Sequence, residues 1–321
     1  MLYSALALSV AAGILGATAL GRAASRVGGL PRRAAAAPPV LAYPATMRAP
    51  GPWRVGIQAG HWRVEELPDE QHRLRDSTGA RYGEFREAEL NLEVARRVAG
   101  LLRASGAQVD LLPARVPAGY RADAFVSIHA DGAARPGARG WKAATPWRAS
   151  AAARRLREAL AGTYPRFTGL PEDRFGTTFY MRGYYAFSPH RYQHAIDPRT
   201  PAVILEMGFI TVREDREVLL GNPEATALGI AAGIMRFLSG HDPFDRVQMA
   251  VTLYPVMRVG VRGAELLSHP REDALHLAEL PEGTLVRPLH RENGWFEVMA
   301  WGSYRRFGWL SEAALEPLPG G

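Results

Sequence analysis

Four side chains in four separate stretches of the sequence have the types and settings for hydrolytic chemistry: His61, Glu87, His129 and Glu206. His129 closes the stretch Ala124-Phe125-Val126-Ser127-Ile128-His129-Ala130-Asp131. Its β-branched and aromatic content, bracketed by polar segments, predicts a short buried strand with an imidazole at its carboxyl end. Open α/β sheets place ligands and chemistry at that end. A lone strand-end histidine more often bonds a backbone carbonyl, but two further segments shift the reading. His61 follows the strand-like run Arg54-Val55-Gly56-Ile57-Gln58 through the turn Ala59-Gly60, and Glu87 opens a helix. Two imidazoles and one carboxylate, with a fourth position left to water, make a catalytic zinc set. A site without thiolates also suits a chain with no cysteine.

Glu206 stands in Ala202-Val203-Ile204-Leu205-Glu206-Met207-Gly208, a continuous apolar run of the kind found in a strand covered on both faces. An unpaired carboxylate there would be costly. Two readings account for it. One is an ion pair with one of the many arginines. The other is a general base that takes a proton from a nucleophilic water and returns it to a leaving amine.

The elements that must hold these groups follow from periodicity. Leu90, Val94, Val98 and Leu101 form one apolar stripe, predicting a helix from Glu87 that stops near Gly106. Val109 to Leu112 and Ala124 to Ala130 read as strands, and Ala151 to Leu160 as a helix. Thr177 to Phe187 reads as extended, and Glu224 to Leu238 as a helix ended by Gly240. Trp62 to Phe85 reads as a long polar loop. Strands alternating with helices predict an α/β fold, a mostly parallel sheet with helices on both faces. From about Arg246, short strand-like runs separated by turn signals predict a small all-β module.

The remaining composition bounds partner and compartment. The 321 residues carry a net charge of +7 and a pI near 10.0, almost wholly through arginine, with Lys142 the single lysine. An anionic polymer or surface is therefore a candidate partner, while no nucleic-acid-binding module accompanies the charge. Leu2 to Leu20 is an uncharged apolar run that serves as an export signal or an N-terminal membrane anchor. Arg22, Arg26, Arg32 and Arg33 follow it, which as an anchor would favour a cytoplasmic carboxyl side; export is the reading adopted. The expected organisation is a signal or anchor over 1–27, an Ala/Pro-rich linker over 28–52, a catalytic domain over 53–240 and an accessory domain over 246–318.

Taken together, Gly60-His61, Glu87-Ala88-Glu89-Leu90-Asn91-Leu92, Ser127-Ile128-His129-Ala130-Asp131 and Leu205-Glu206-Met207-Gly208-Phe209 resemble, in order, the motifs of zinc-dependent N-acetylmuramoyl-L-alanine amidases. The resemblance implies that His61, Glu87 and His129 bind Zn2+ and that Glu206 is the catalytic carboxylate. It further implies that peptidoglycan is the substrate, outside the cytoplasm, cleaved at the amide between the lactyl group of N-acetylmuramic acid and L-alanine. Gln58-Ala59 stand where the family has Asp-Pro, a change close behind a ligand histidine. The Trp62–Phe85 stretch adds Glu65, Glu66, Glu70 and His72 as rival ligands, with His190 and His194 upstream of Glu206. The tail, through Gly283-Thr284, Asn293-Gly294-Trp295-Phe296-Glu297-Val298 and Gly308-Trp309-Leu310, is similar to the later half of a bacterial SH3-like domain, with Trp295, Trp301, Tyr304 and Trp309 as a candidate binding platform. Two rivals stay open: a zinc hydrolase of another amide or peptide, and a wall-binding protein with an inactive hydrolase fold.

Overall fold

A computed structural model describes residues 52–132, 136–173, 175–302 and 306–318, together with the pairing of Val40–Leu41 against Val251–Thr252. The apolar run Leu2–Leu20, most of the linker and Tyr304 lie outside the described residues. Among the described residues no single helix is long and apolar enough to cross a membrane.

Residues 54–239 are built on a five-stranded sheet. Its strands are β1 (Arg54–Ala59), β2 (Gln108–Leu112), β3 (Ala124–Asp131), β4 (Lys142–Ala144) and β5 (Ala202–Phe209), in the order β2-β1-β3-β5-β4. The first three and β5 run parallel, and β4 closes the edge antiparallel to β5. Residues of alternate parity feed two cores. Val55, Ile57, Val126, Ile128, Val203 and Leu205 pack with the long helices α1 (Glu87–Ala104) and α2 (Ala151–Thr168) and with α5 (Pro223–Ser239). Phe125, Ala144, Ala202 and Ile204 face the opposite way, onto Met181, Ala186, Phe187 and Ile196.

That second face carries the main difference from the sequence reading. Thr177–Phe187 is not extended: it holds the one-turn helix α3 (Phe179–Arg182), capped by Thr178, and a 3-10 turn at Tyr185–Phe187. Aromatic content suggested extended backbone, but the segment lies over the sheet rather than within it, so its backbone groups are satisfied locally. Helix α4 (Arg213–Gly221) gave no apolar stripe and was not anticipated; its Asp215 is buried and accepts from Phe209 N and Gly140 N. The Trp62–Phe85 stretch is ordered by 3-10 turns at Val64–Glu66 and Asp69–Leu74 and by a short hairpin of Arg81–Tyr82 with Phe85–Arg86.

The C-terminal region is a separate curled antiparallel sheet of seven strands, half-barrel-like. They are β6 (Met257–Val259), β7 (Ala264–Leu267), β8 (His276–Leu280), β9 (Leu285–Glu292), β10 (Trp295–Ala300), β11 (Arg306–Ser311) and β12 (Leu315–Pro317). The β9–β10 hairpin turns at Asn293-Gly294, both at positive φ, as the Asn-Gly signal requires. Val259, Leu266, Val286, Phe296, Val298 and Leu310 form its core; Trp295 and Trp309 are half-buried, and Trp301 packs on a second cluster of Leu289, Met299 and Phe307.

Candidate active site

Strands β1 and β3 are neighbours, and their carboxyl ends bring His61 and His129 together. After Ala59 the chain turns at Gly60, whose N–H donates to the Ile128 carbonyl (2.9 Å). A Cβ on Gly60 would stand 2.3–2.5 Å from three atoms of the His129 ring, so only glycine allows this approach. His61 takes a left-handed backbone conformation, φ 62°, uncommon for a residue with a side chain and frequent at functional sites. Its Nδ1 lies 2.5 Å from the Ser77 carbonyl oxygen. With Nδ1 donating there, Nε2 is left facing Glu87 Oε1 at 3.4 Å.

Glu87 is the first residue of α1, where the helix dipole favours an anion, and is only 4% exposed. Oε2 accepts from Ala80 N (2.7 Å). Oε1 accepts from Ala130 N (3.1 Å) and from Asn91 Nδ2 (3.1 Å), one helical turn on. Oε1 also lies 3.0 Å from His129 Nδ1. His129 Nε2 is 3.1 Å from the Tyr184 hydroxyl, which donates to Gln58 Oε1 (3.1 Å); Gln58 Nε2 in turn donates to the Ala114 carbonyl (2.9 Å). The Tyr184 hydroxyl also reaches the Tyr185 hydroxyl (3.2 Å), so the His129 ring is tied to a tyrosine–glutamine network through Nε2 and to Glu87 through Nδ1.

His61, Glu87 and His129 thus offer three ligand atoms within 4.8 Å of one another. A tetrahedral zinc with bonds of about 2.0–2.1 Å needs ligand atoms roughly 3.3–3.4 Å apart. The 3.4 Å and 3.0 Å separations at Glu87 Oε1 are close to that spacing, so the donor set fits a divalent cation. Electrostatics agree. Burial alone would raise Glu87, yet hydrogen bonds and charge from His129 and His61 hold it well below the usual carboxylate range. Burial pushes His129 down, toward the neutral ligand form, and Glu87 offsets only part of that. Partial burial pulls half-buried His61 down, but Glu87 and the Ser77 carbonyl raise it on balance.

Glu206 lies beside this group. It is half-buried on β5, directly across from His129 in the parallel register and across from Lys142 in the antiparallel one. Its Oε2 is shielded from solvent and, among the described residues, has no hydrogen-bond partner. Burial, reinforced by repulsion from Glu87 and Asp131, raises its carboxyl well above the ordinary value. No arginine pairs with it among the described residues. The basic neighbour is Lys142, 2% exposed, whose Nζ holds Asp131 (2.6 Å) and Asp173 (3.2 Å).

The rival ligands go elsewhere. Glu66 pairs with Arg63 (2.5 Å), Glu65 is exposed, and His72 faces the Asp69 carbonyl (2.8 Å). Glu70 pairs with His194 (2.9 Å) and accepts from the Gln193 and His194 backbone, fastening the long loop to the 190s segment. His190 packs near Trp147. A cavity of about 430 Å³ opens over His61 and His129, walled by Tyr180, Tyr184, Tyr185, Tyr192 and Arg191. Asn91 was visible in the sequence through its four-residue spacing from Glu87. Gln58 was singled out as the departure behind His61, but its bond to the Tyr184 hydroxyl, like the roles of Ser77 and Tyr184, depends on long-range folding.

Residues 55–236, more than half of the chain, match the family model described as N-acetylmuramoyl-L-alanine amidase. The chain belongs to this family. Among solved structures, it is similar to the amidase AmiC2 of Nostoc punctiforme at 22% identity, covering 58% of this chain and 97% of that one, with a TM-score of 0.42. An amidase of Clostridium difficile 630 is 18% identical, with 60% and 100% coverage and a TM-score of 0.43. Ami1 of Mycobacterium smegmatis is 18% identical, with 59% and 98% coverage and a TM-score of 0.42. No curated protein matches the chain. As a member of the amidase family the protein acts on the cell wall.

Proposed function

We propose that this amidase is zinc-dependent and cleaves the amide joining the lactyl group of N-acetylmuramic acid to L-alanine of the stem peptide, outside the cytoplasm. The observation that carries the reading is the convergence of His61, Glu87 and His129 with the unpartnered Glu206 Oε2 directly alongside. In this reading the three residues hold the ion. A bound zinc supplies a Lewis acid, lowers the pKa of its water toward about 7 and favours the ionised form of Glu206.

The chain's own groups do the rest. Glu206 Oε2 accepts the proton of the attacking water as its oxygen bonds to the lactyl carbonyl carbon. When the carbon–nitrogen bond breaks, Glu206 returns that proton to the L-alanine amine. The Tyr184–Gln58 chain keeps the His129 ring in one orientation. The tyrosine-walled cavity offers ring faces to a sugar or peptide beside the scissile bond. The catalytic domain spans 53–240, and the curled sheet over 246–318 is read as an SH3-like accessory domain.

Mass spectrometry of peptidoglycan digested by the protein, with and without a chelator, tests the proposal. Chelator-sensitive release of stem peptides with a free L-alanine amine, restored by zinc, is the expected result. Cleavage at another amide would move the substrate class. Intact peptidoglycan with zinc confirmed in the protein would overturn the catalytic reading.

A further inference from the structure

We propose that Glu297, in the C-terminal sheet, is a positioning residue for the amidase site, acting through Arg182 to hold Tyr184 against His129. The inference rests on the reading of His129 as a ligand of the catalytic centre.

Tyr184 reaches the site from an irregular segment. It lies two residues beyond α3, a four-residue helix too short to be stable by itself. On one side the segment packs on the sheet through Met181, Ala186 and Phe187. On the other it is gripped by the C-terminal sheet. The Phe179 ring stacks on Phe307, with centroids 6.0 Å apart and planes 23° apart. Arg182, 4% exposed, forms an ion pair with Glu297 and sits 5.1 Å over the Phe307 ring.

Glu297 is itself buried, 6% exposed on β10. Its second oxygen lies 3.2 Å from Arg154 Nη1 of α2, and Arg154 Nη2 donates to the Leu289 carbonyl (2.8 Å). One buried carboxylate therefore joins two guanidiniums carried by different elements of the catalytic region. Without it, two like charges would lie close together with no anion between them. A tethered wall-binding domain needs no such buried pairing at its boundary. Here the contact fixes α3, and α3 fixes where the Tyr184 hydroxyl falls.

The test uses the full chain with Glu297→Gln, Tyr184→Phe and the double substitution. Hydrolysis of a soluble muramyl-peptide fragment, zinc retention and binding to insoluble peptidoglycan are measured for each. Glu297→Gln is expected to lower kcat on the soluble fragment about ten- to a hundredfold with little change in KM, and to leave wall binding intact. The double variant should be no worse than the poorer single one, because both changes release the same hydroxyl. Wild-type kcat in Glu297→Gln, or losses that multiply in the double variant, would overturn the proposal.

If Glu297→Gln does not fold, Phe179→Leu weakens the same grip and should give the same pattern. Hydrogen exchange supplies a readout independent of turnover. The Gly183 and Tyr184 amides should exchange faster in either variant, and unchanged protection would count against the proposal. A wild-type chain that cleaves nothing would sink the parent reading instead, and exchange would still decide this one.

Discussion

Glu206 lies across from His129 in the pairing of β3 with β5 and across from Lys142 in the pairing of β5 with β4. One strand position therefore faces a candidate ligand on one side and a buried cation on the other. The carboxylate is held among charges without being tied to any of them, since its Oε2 keeps no hydrogen-bond partner among the described residues. A carboxylate restrained by an arginine fork would be a poor proton carrier, whereas this one is free to exchange a proton.

Glu206→Gln should keep the metal and lose most of the turnover, by about 10²–10⁴-fold, the usual contribution of a general acid–base group. Metal analysis and kcat on one preparation check it. A near-normal rate would remove Glu206 from the chemistry.

The same substitution should stabilise the metal-free protein at neutral pH. Burial and the neighbouring Glu87 and Asp131 raise Glu206 above the ordinary value of 4.5 in the folded state. Below the unfolded pKa both states are protonated and nothing is lost. Above it the unfolded chain releases a proton that the folded chain retains, so stability falls by about 1.4 kcal/mol per pH unit until the folded pKa is reached. Melting curves of metal-free Glu206→Gln and wild type should converge near pH 4 and separate by pH 7, with the variant higher. Parallel curves would contradict the shift.

His129→Ala should strip most of the bound metal, because two remaining ligands hold zinc poorly. Full retention in the purified variant would sink the ligand assignment.

Gln58→Leu removes the acceptor of the Tyr184 hydroxyl and the donor to the Ala114 carbonyl. Loss of a group that orients a ligand histidine typically lowers metal affinity about 10–100-fold. Competition with a chelating dye measures this, and unchanged affinity would show that the chain to His129 is incidental.

Lys142→Met should destabilise the fold by about 3 kcal/mol, the lower end for breaking a buried ion pair. The lower end applies because Asp131 is 31% exposed while Asp173 is wholly buried. Urea denaturation reads the difference, and a change under about 0.5 kcal/mol, typical of surface positions, would mean the pairing is dispensable.

Much of this was legible in local patterns. The apolar stripe from Leu90 to Leu101 placed α1 with Glu87 at its first turn. The runs around Val126 and Val203 placed two central strands, and turn signals between short runs placed the strands of the C-terminal sheet. What failed was context-dependent. The aromatic Thr177–Phe187 segment read as extended because side-chain types, not neighbours, were visible. Strand β4 is only three residues long and carries no usable period.

The sequence by itself determined the chemical types at the site and the strand and helix ends that present His61, Glu87, His129 and Glu206, since side-chain periodicity and turn residues are local properties. Only the tertiary structure decided how those groups are oriented. Ser77 meets His61 across 16 residues, and the Tyr184 hydroxyl meets Gln58 across 126. Such contacts are selected by packing across the sheet and between the two β-rich regions, and no local pattern encodes which buried polar groups will meet.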